Sequence, residues 1–170
     1  PNNFKRQWHI NPFNFFSEAF GLQDTPRMDT TTLNGSRIFY THIDGDGFLN
    51  ISELDRKSLS AEIIRDEILK RYHLPFTVSV IVGEQDPKAL GSDKSMAVAR
   101  SIFALENVEA GSHGFAHPLD WEKKTVALKN IPNYRYDLQK EIDYSVNFIN
   151  KNLLSQDKKV KIFQWTGSCN

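Results

Sequence analysis

Pro75-Phe76-Thr77-Val78-Ser79-Val80-Ile81-Val82 is a near-continuous run of apolar and β-branched residues. Strands with this reading are buried on both faces, as in parallel sheets covered by helices. The flanking sequence agrees. Residues 36–43 are rich in β-branched and aromatic side chains and read as a buried strand. Residues 52–71 follow, with Ser60 as N-cap and Ile63, Ile64, Ile68 and Leu69 at helical spacing. On the other side, residues 93–105 read as a helix through Met96, Ala97, Ala99, Ile102, Phe103 and Leu105. Residues 108–111 form a short strand leading into a His-containing loop. Residues 136–154 carry Leu138, Ile142, Val146, Ile149 and Leu153 on one helical stripe, and residues 160–165 read as a last strand. The order β-α-β-α-β-loop-α-β predicts an α/β fold, with parallel strands inside and helices outside. In such folds functional residues gather at the carboxyl ends of the strands.

Residues 1–36 read as an irregular N-terminal segment. Its aromatic residues, Trp8, Phe13, Phe15, Phe16 and Phe20, suggest a docking or linker role ahead of a domain at 37–170. Asp29 to Gly35 read as a turn. The chain opens Pro1-Asn2-Asn3 without a starting Met, and both ends read as cut from a larger multidomain protein.

The 170 residues suit one compact domain that can bury a core without staples. Lys+Arg and Asp+Glu balance at 21 each, so net charge gives no support for a nucleic-acid partner or an anionic membrane surface. No apolar run approaches the ~20 residues of a membrane span. The single cysteine, Cys169, leaves the redox compartment open.

Two motifs carry chemistry. His42-Ile43-Asp44-Gly45-Asp46-Gly47 closes the first predicted strand. Two carboxylates at i and i+2 of an extended segment point to one side, and their repulsion is relieved by a cation or a proton. Ser112-His113-Gly114-Phe115-Ala116-His117 closes the third. Its two imidazoles, one turn apart, have a spacing common among Zn²⁺ ligands. Asp46, His113 and His117 together give one carboxylate and two imidazoles with positions left open, the ligand count of a catalytic site. This set accepts Zn²⁺, Co²⁺, Ni²⁺ or Mn²⁺, with Zn²⁺ the first expectation. A rival reading takes residues 42–53 as an EF-hand-like calcium loop, with Asp44, Asp46, Gly47 and Glu53 at its third, fifth, sixth and twelfth positions. His42 stands where that loop wants an acidic ligand, and a strand precedes it where a helix is needed.

At these residues the chain resembles the NodB-type polysaccharide deacetylases, carbohydrate esterase family four. His42-Ile43-Asp44-Gly45-Asp46-Gly47 stands in place of that family's Thr-Phe-Asp-Asp-Gly motif, with the acids one residue further apart. Residues 74–83 resemble its second strand, and His113-Gly114-Phe115-Ala116-His117 matches its His-Ser/Thr-x-x-His motif. Glu141-Ile142-Asp143-Tyr144-Ser145 looks like the helix that follows. Asp-Gly-Asp-Gly, His117-Pro118-Leu119-Asp120-Trp121 and Trp165-Thr166-Gly167-Ser168-Cys169 look closest to the branch found in bifunctional hydrolase-deacetylases of Pel exopolysaccharide export.

The resemblance implies a distorted deacetylase barrel, incomplete at its C-terminus. It implies a metal-dependent hydrolase that removes N-acetyl groups from an N-acetylated hexosamine polysaccharide, in the periplasm or another extracytoplasmic place. Asp44 would be the catalytic base, and Asp46, His113 and His117 the metal ligands. The oxyanion would meet a backbone N–H after the His pair. His42, Trp121 and Trp165 would support or wall the substrate groove. Two family motifs differ: Arg-x-Pro-Tyr is replaced near Gln164-Trp165-Thr166-Gly167, and the late Leu-His motif that supplies the general acid has no counterpart in these residues. A catalytically silent carbohydrate-binding remnant of the fold is therefore a third reading beside the enzyme and the calcium module.

Overall fold

The computed structural model describes residues 12–21 and 39–169. The chain divides into two compact units, residues 1–39 and 40–170. In the first, a helix α1 spans Pro12–Phe20, with the Phe16 and Phe20 rings stacked one turn apart. This corrects the expectation of an irregular segment: Phe16 and Phe20 lie at i and i+4, the spacing at which helical side chains meet. Trp8 and the turn expected at 29–35 lie outside the described residues.

The second unit is built on a curled sheet of four parallel strands, with helices, forming a half-barrel. The strands are β1 (Thr41–Ile43), β2 (Phe76–Val80), β3 (Val108–Ser112) and β6 (Ile162–Phe163), in that spatial order. All five residues of β2 are buried, as the run at 75–82 predicts for a central strand. Its side chains alternate in character. Phe76, Val78 and Val80 join the main core with Ala99, Ile102 and Phe103 of α3 (Asp93–Phe103) and Ile149 of α4 (Ser145–Asn152). Thr77 and Ser79 take the opposite face. In register with Thr77 stand His42 on β1 and Glu109 on β3, so that face is polar across the sheet.

The two outer strands are short. The expected strand at 36–43 is reduced among the described residues to Thr41–Ile43, with Phe39 and Tyr40 exposed ahead of it. Nothing among the described residues pairs with its free edge, so the hydrogen bonds that would extend it are missing. β6 is likewise shorter than 160–165. Its approach is pinned by Lys158, whose ammonium donates to the carbonyls of Phe103, Leu105 and Val108. The first of these is the last carbonyl of α3, an acceptor that the helix leaves free, and the other two lie on the turn into β3 and at its start.

Two helices carry π-turns, which contain one residue more than an α-turn. α2 (Ser60–Ile64) runs into a π-turn at Arg65–Leu69. Ser60 is its first helical residue, while Leu59 is the N-cap. α4 is preceded by a π-turn at Lys140–Tyr144. This extra residue rotates the predicted stripe: Leu138 is 54% exposed, whereas Glu141, Ser145, Ile149 and Leu153 face inward. An antiparallel hairpin, β4 (Pro118–Asp120) with β5 (Thr125–Val126), was not expected from the sequence. The segment after β6 lies along β4, with Ser168 donating to Leu119 and Trp121 donating back to Ser168.

Candidate metal centre

β1 and β3 each end in one of the two motifs, but they are not neighbours. β2 lies between them. The sheet's curl and two tight loops close the gap. The first loop leaves β1 at Asp44. It turns rather than extends: Asp46 N–H donates to Asp44 Oδ1 at 3.1 Å, and Gly47 has φ +73°. Gly45 lets this loop lie against the end of β2, where a Cβ would stand 2.8 Å from Ile81 N. The second loop is not helical either. Gly114 has φ +79° and His117 has φ +55°, and this reversal returns His117 toward His113.

The result is a compact triad. One ligand atom from each of Asp46, His113 and His117 lies within 4.8 Å of the others. His117 Nε2 stands 2.9 Å and His113 Nε2 3.9 Å from Asp46 Oδ1. The imidazole rings meet edge to face, with centroids 5.1 Å apart. Both histidines are buried while Asp46 is exposed, so the triad opens to solvent on one side.

The donor set fits a divalent metal. His113 Nδ1 lies 2.8 Å from the Gln164 carbonyl oxygen. A carbonyl only accepts, so Nδ1 carries the proton and Nε2 presents a lone pair toward Asp46. This outer contact is what orients a ligating imidazole. Burial, reinforced by His117, holds the His113 imidazole below its ordinary pKa against the opposing pull of the Gln164 carbonyl and of Asp44 and Asp46. Neutral imidazole is the form that binds metal.

The remaining predicted residues surround the triad. Asp44 shares an open groove of about 400 Å³ with His42, His113, Ile162, Phe163, Gln164 and Trp165. Trp165 is 58% exposed and forms part of the groove wall. Trp121 does not line this groove. It buttresses Trp165 from behind at 4.9 Å between centroids, with its indole N–H bonded to Thr166 O. His42 is exposed on the groove, edge-on to Tyr40 at 5.3 Å. A larger hollow of about 530 Å³ opens at the other end of the strands, beside Tyr40, Phe76, Val108 and Lys161. Among the described residues the metal-ligating cluster lies at the carboxyl ends alone, so donor chemistry rather than volume marks the site.

Two residues escaped the sequence reading. Glu84, just past β2, sits close enough to Asp46 to feel its charge. Burial first, and then Asp46, push its carboxyl up to about 7, and its Oε2 is buried without a partner. Glu141 accepts from the backbone N–H groups of Phe115 and Ala116. Those two N–H groups, which lie between the two histidines, therefore point at Glu141 and not into the groove. The sequence signal for Glu141 was an acid placed beside an otherwise apolar stripe. Glu84 left no signal beyond following a buried strand.

The strand before Asp44 leaves no room for the entering helix of an EF-hand. Among the described residues no helix is long and apolar enough to cross a membrane. No family model, curated protein or solved structure matches this chain, so the functional reading rests on the site itself.

Proposed function

We propose that this chain is a metal-dependent N-deacetylase of the NodB type, acting on an N-acetylated hexosamine exopolysaccharide. The observation that carries this reading is the Asp46–His113–His117 triad, with Asp44 beside it on an open, aromatic-walled groove. A divalent metal, Zn²⁺ first, would be held by those three side chains and would supply Lewis-acid polarisation of the acetamide carbonyl and of water. The reading carries with it an extracytoplasmic location and a larger multidomain parent.

The chain's own residues divide the remaining work. Asp44 Oδ1 is held by the Asp46 N–H, which leaves Oδ2 free to take a proton from the attacking water. His113, fixed by Gln164, keeps its Nε2 lone pair directed at the triad's centre. Trp165 offers a flat face on which a sugar ring can stack, and Trp121 and Phe163 hold it upright. His42 is the remaining titratable side chain along this wall.

The test is acetate release from N-acetylated hexosamine oligosaccharides, with purified protein loaded with Zn²⁺ or Co²⁺. Release that vanishes on chelation and in Asp44→Asn supports the reading. Glycan binding without any release would instead favour the binding-only remnant, and Ca²⁺ binding that survives His113→Ala would favour the calcium module.

A further inference from the structure

Glu141 is wholly buried, and among the described residues no cation forms a salt bridge to it. Its carboxylate is satisfied by the backbone instead. Oε2 accepts from Phe115 N at 2.7 Å and Ala116 N at 3.0 Å, and Tyr134 donates its hydroxyl to Oε1. The neighbouring Lys140 ammonium lies over the Phe115 ring at 4.2 Å. Burying a carboxylate is costly unless its lone pairs are filled, and here they are filled by the loop that carries the two histidines.

Three local features converge on this contact. The π-turn at Lys140–Tyr144 shifts the helix phase and brings Glu141 inward, while Leu138 of the apolar stripe is turned out. π-turns of this kind are frequent at functional sites. Gly114 adopts φ +79°, and a Cβ there would stand 2.9 Å from Glu141 Oε2, so the glycine makes room for the carboxylate. His117 adopts φ +55°, a left-handed turn that is uncommon outside glycine and that histidine takes more readily than most residues.

We infer that Glu141 is a positioning residue of the metal centre, whose buried carboxylate holds the Gly114–Phe115–Ala116 turn so that His113 and His117 converge on Asp46. It touches neither metal nor substrate. It acts through the backbone between the two ligands, which lie four residues apart without a helix to space them. The inference rests on the metal reading of the triad and adds to it the element that shapes the ligand loop. Tyr134 completes the clamp by fixing the second carboxylate oxygen.

The experiment is Co²⁺ titration of the full 170-residue chain, read by its visible d–d absorption, with far-ultraviolet circular dichroism to confirm folding. Wild type is compared with Glu141→Ala, Glu141→Gln and Tyr134→Phe. Glu141→Ala is expected to bind Co²⁺ about 10- to 100-fold more weakly, the range seen when outer partners of metal ligands are lost, and to show an altered band. Glu141→Gln can keep one oxygen on both N–H groups and turn its amide toward Tyr134, so it is expected to restore the wild-type band and bind within about fivefold. Tyr134→Phe frees one oxygen only and is expected to weaken binding by about fivefold with a perturbed band. Wild-type affinity and band in a folded Glu141→Ala would overturn the inference. Should that variant not fold, the same result in Tyr134→Phe would overturn it. Wild-type protein that takes up no Co²⁺ would instead overturn the metal reading itself.

Discussion

The Nδ1 atom of His113 lies 2.8 Å from the carbonyl oxygen of Gln164, joining the end of β3 to the segment that follows β6. Because the carbonyl can only accept, this contact sets the His113 tautomer and turns Nε2 toward Asp46. Gln164 is itself anchored, its Oε1 accepting from Ser79 Oγ on β2. Three strands thus determine where one imidazole points. The metal reading and the predictions below follow from that arrangement.

Asp44 and Asp46 are assigned different roles, and substitution separates them. Asp44→Asn removes the base but leaves the triad intact. It should retain metal and lose acetate release by about 100-fold or more, the usual contribution of a general base. Metal analysis and acetate release on the same sample check this. Loss of metal in Asp44→Asn would mean that the two aspartates do not divide the work as assigned.

Trp165 stands on the groove wall and is not one of the three candidate ligands. Trp165→Ala should raise KM for oligosaccharides by about 3- to 10-fold, matching the ~0.5–1.5 kcal/mol of an aromatic contact. Its kcat on short substrates should change little. A kcat loss with KM unchanged would place Trp165 in the chemical step instead.

Glu84 predicts a pH effect in metal-stripped protein. Its folded pKa is pushed up to about 7, above the ordinary carboxylate value, by burial and by Asp46. The folded state therefore binds a proton that the unfolded state has released between about pH 4.5 and 7. Stability falls as pH rises through that window and stays low above it. Glu84→Gln should flatten the fall and raise stability at pH 8 by about 2 kcal/mol, after allowance for its partial exposure. Thermal unfolding from pH 4.5 to 8, in the presence of a chelator, measures it. A wild-type profile that rises across the window would contradict the placement of Glu84.

The phase of α4 can be tested through stability alone. Ile149 and Leu153 are buried, whereas Leu138 is exposed despite sharing their stripe. Ile149→Ala should cost about 2–5 kcal/mol, as core truncations do. Leu138→Ser should stay within about 0.5 kcal/mol. Equal losses in urea unfolding would mean that the π-turn at Lys140–Tyr144 does not rotate the helix.

Much of this site was legible in the sequence because strand ends and metal-ligand spacing leave local signals. The run at 75–82 identified the central strand, and the order of strands and helices indicated a parallel sheet. Asp46, His113 and His117 were recognisable as donors, and the structure brings them together. The geometry between them was not legible. The loop conformations at Gly47, Gly114 and His117 depend on positive φ values that residue type alone does not dictate. The inward turn of Glu141 depends on a π-turn, which shifts the hydrophobic phase by a residue that periodicity cannot foresee. The shortness of β1 goes with an edge that no described residue pairs, a tertiary fact rather than a propensity. The hairpin β4–β5 is too short for alternation to announce it.

The central claim is that Asp46, His113 and His117 hold a metal together. Elemental analysis of purified wild-type protein and His113→Ala, after equilibration with Zn²⁺ and removal of free ion, tests it most directly. The account predicts about one equivalent of Zn²⁺ per wild-type chain, with His113→Ala folded but largely empty. An unchanged metal content in His113→Ala, or a wild-type chain that holds none, would contradict it.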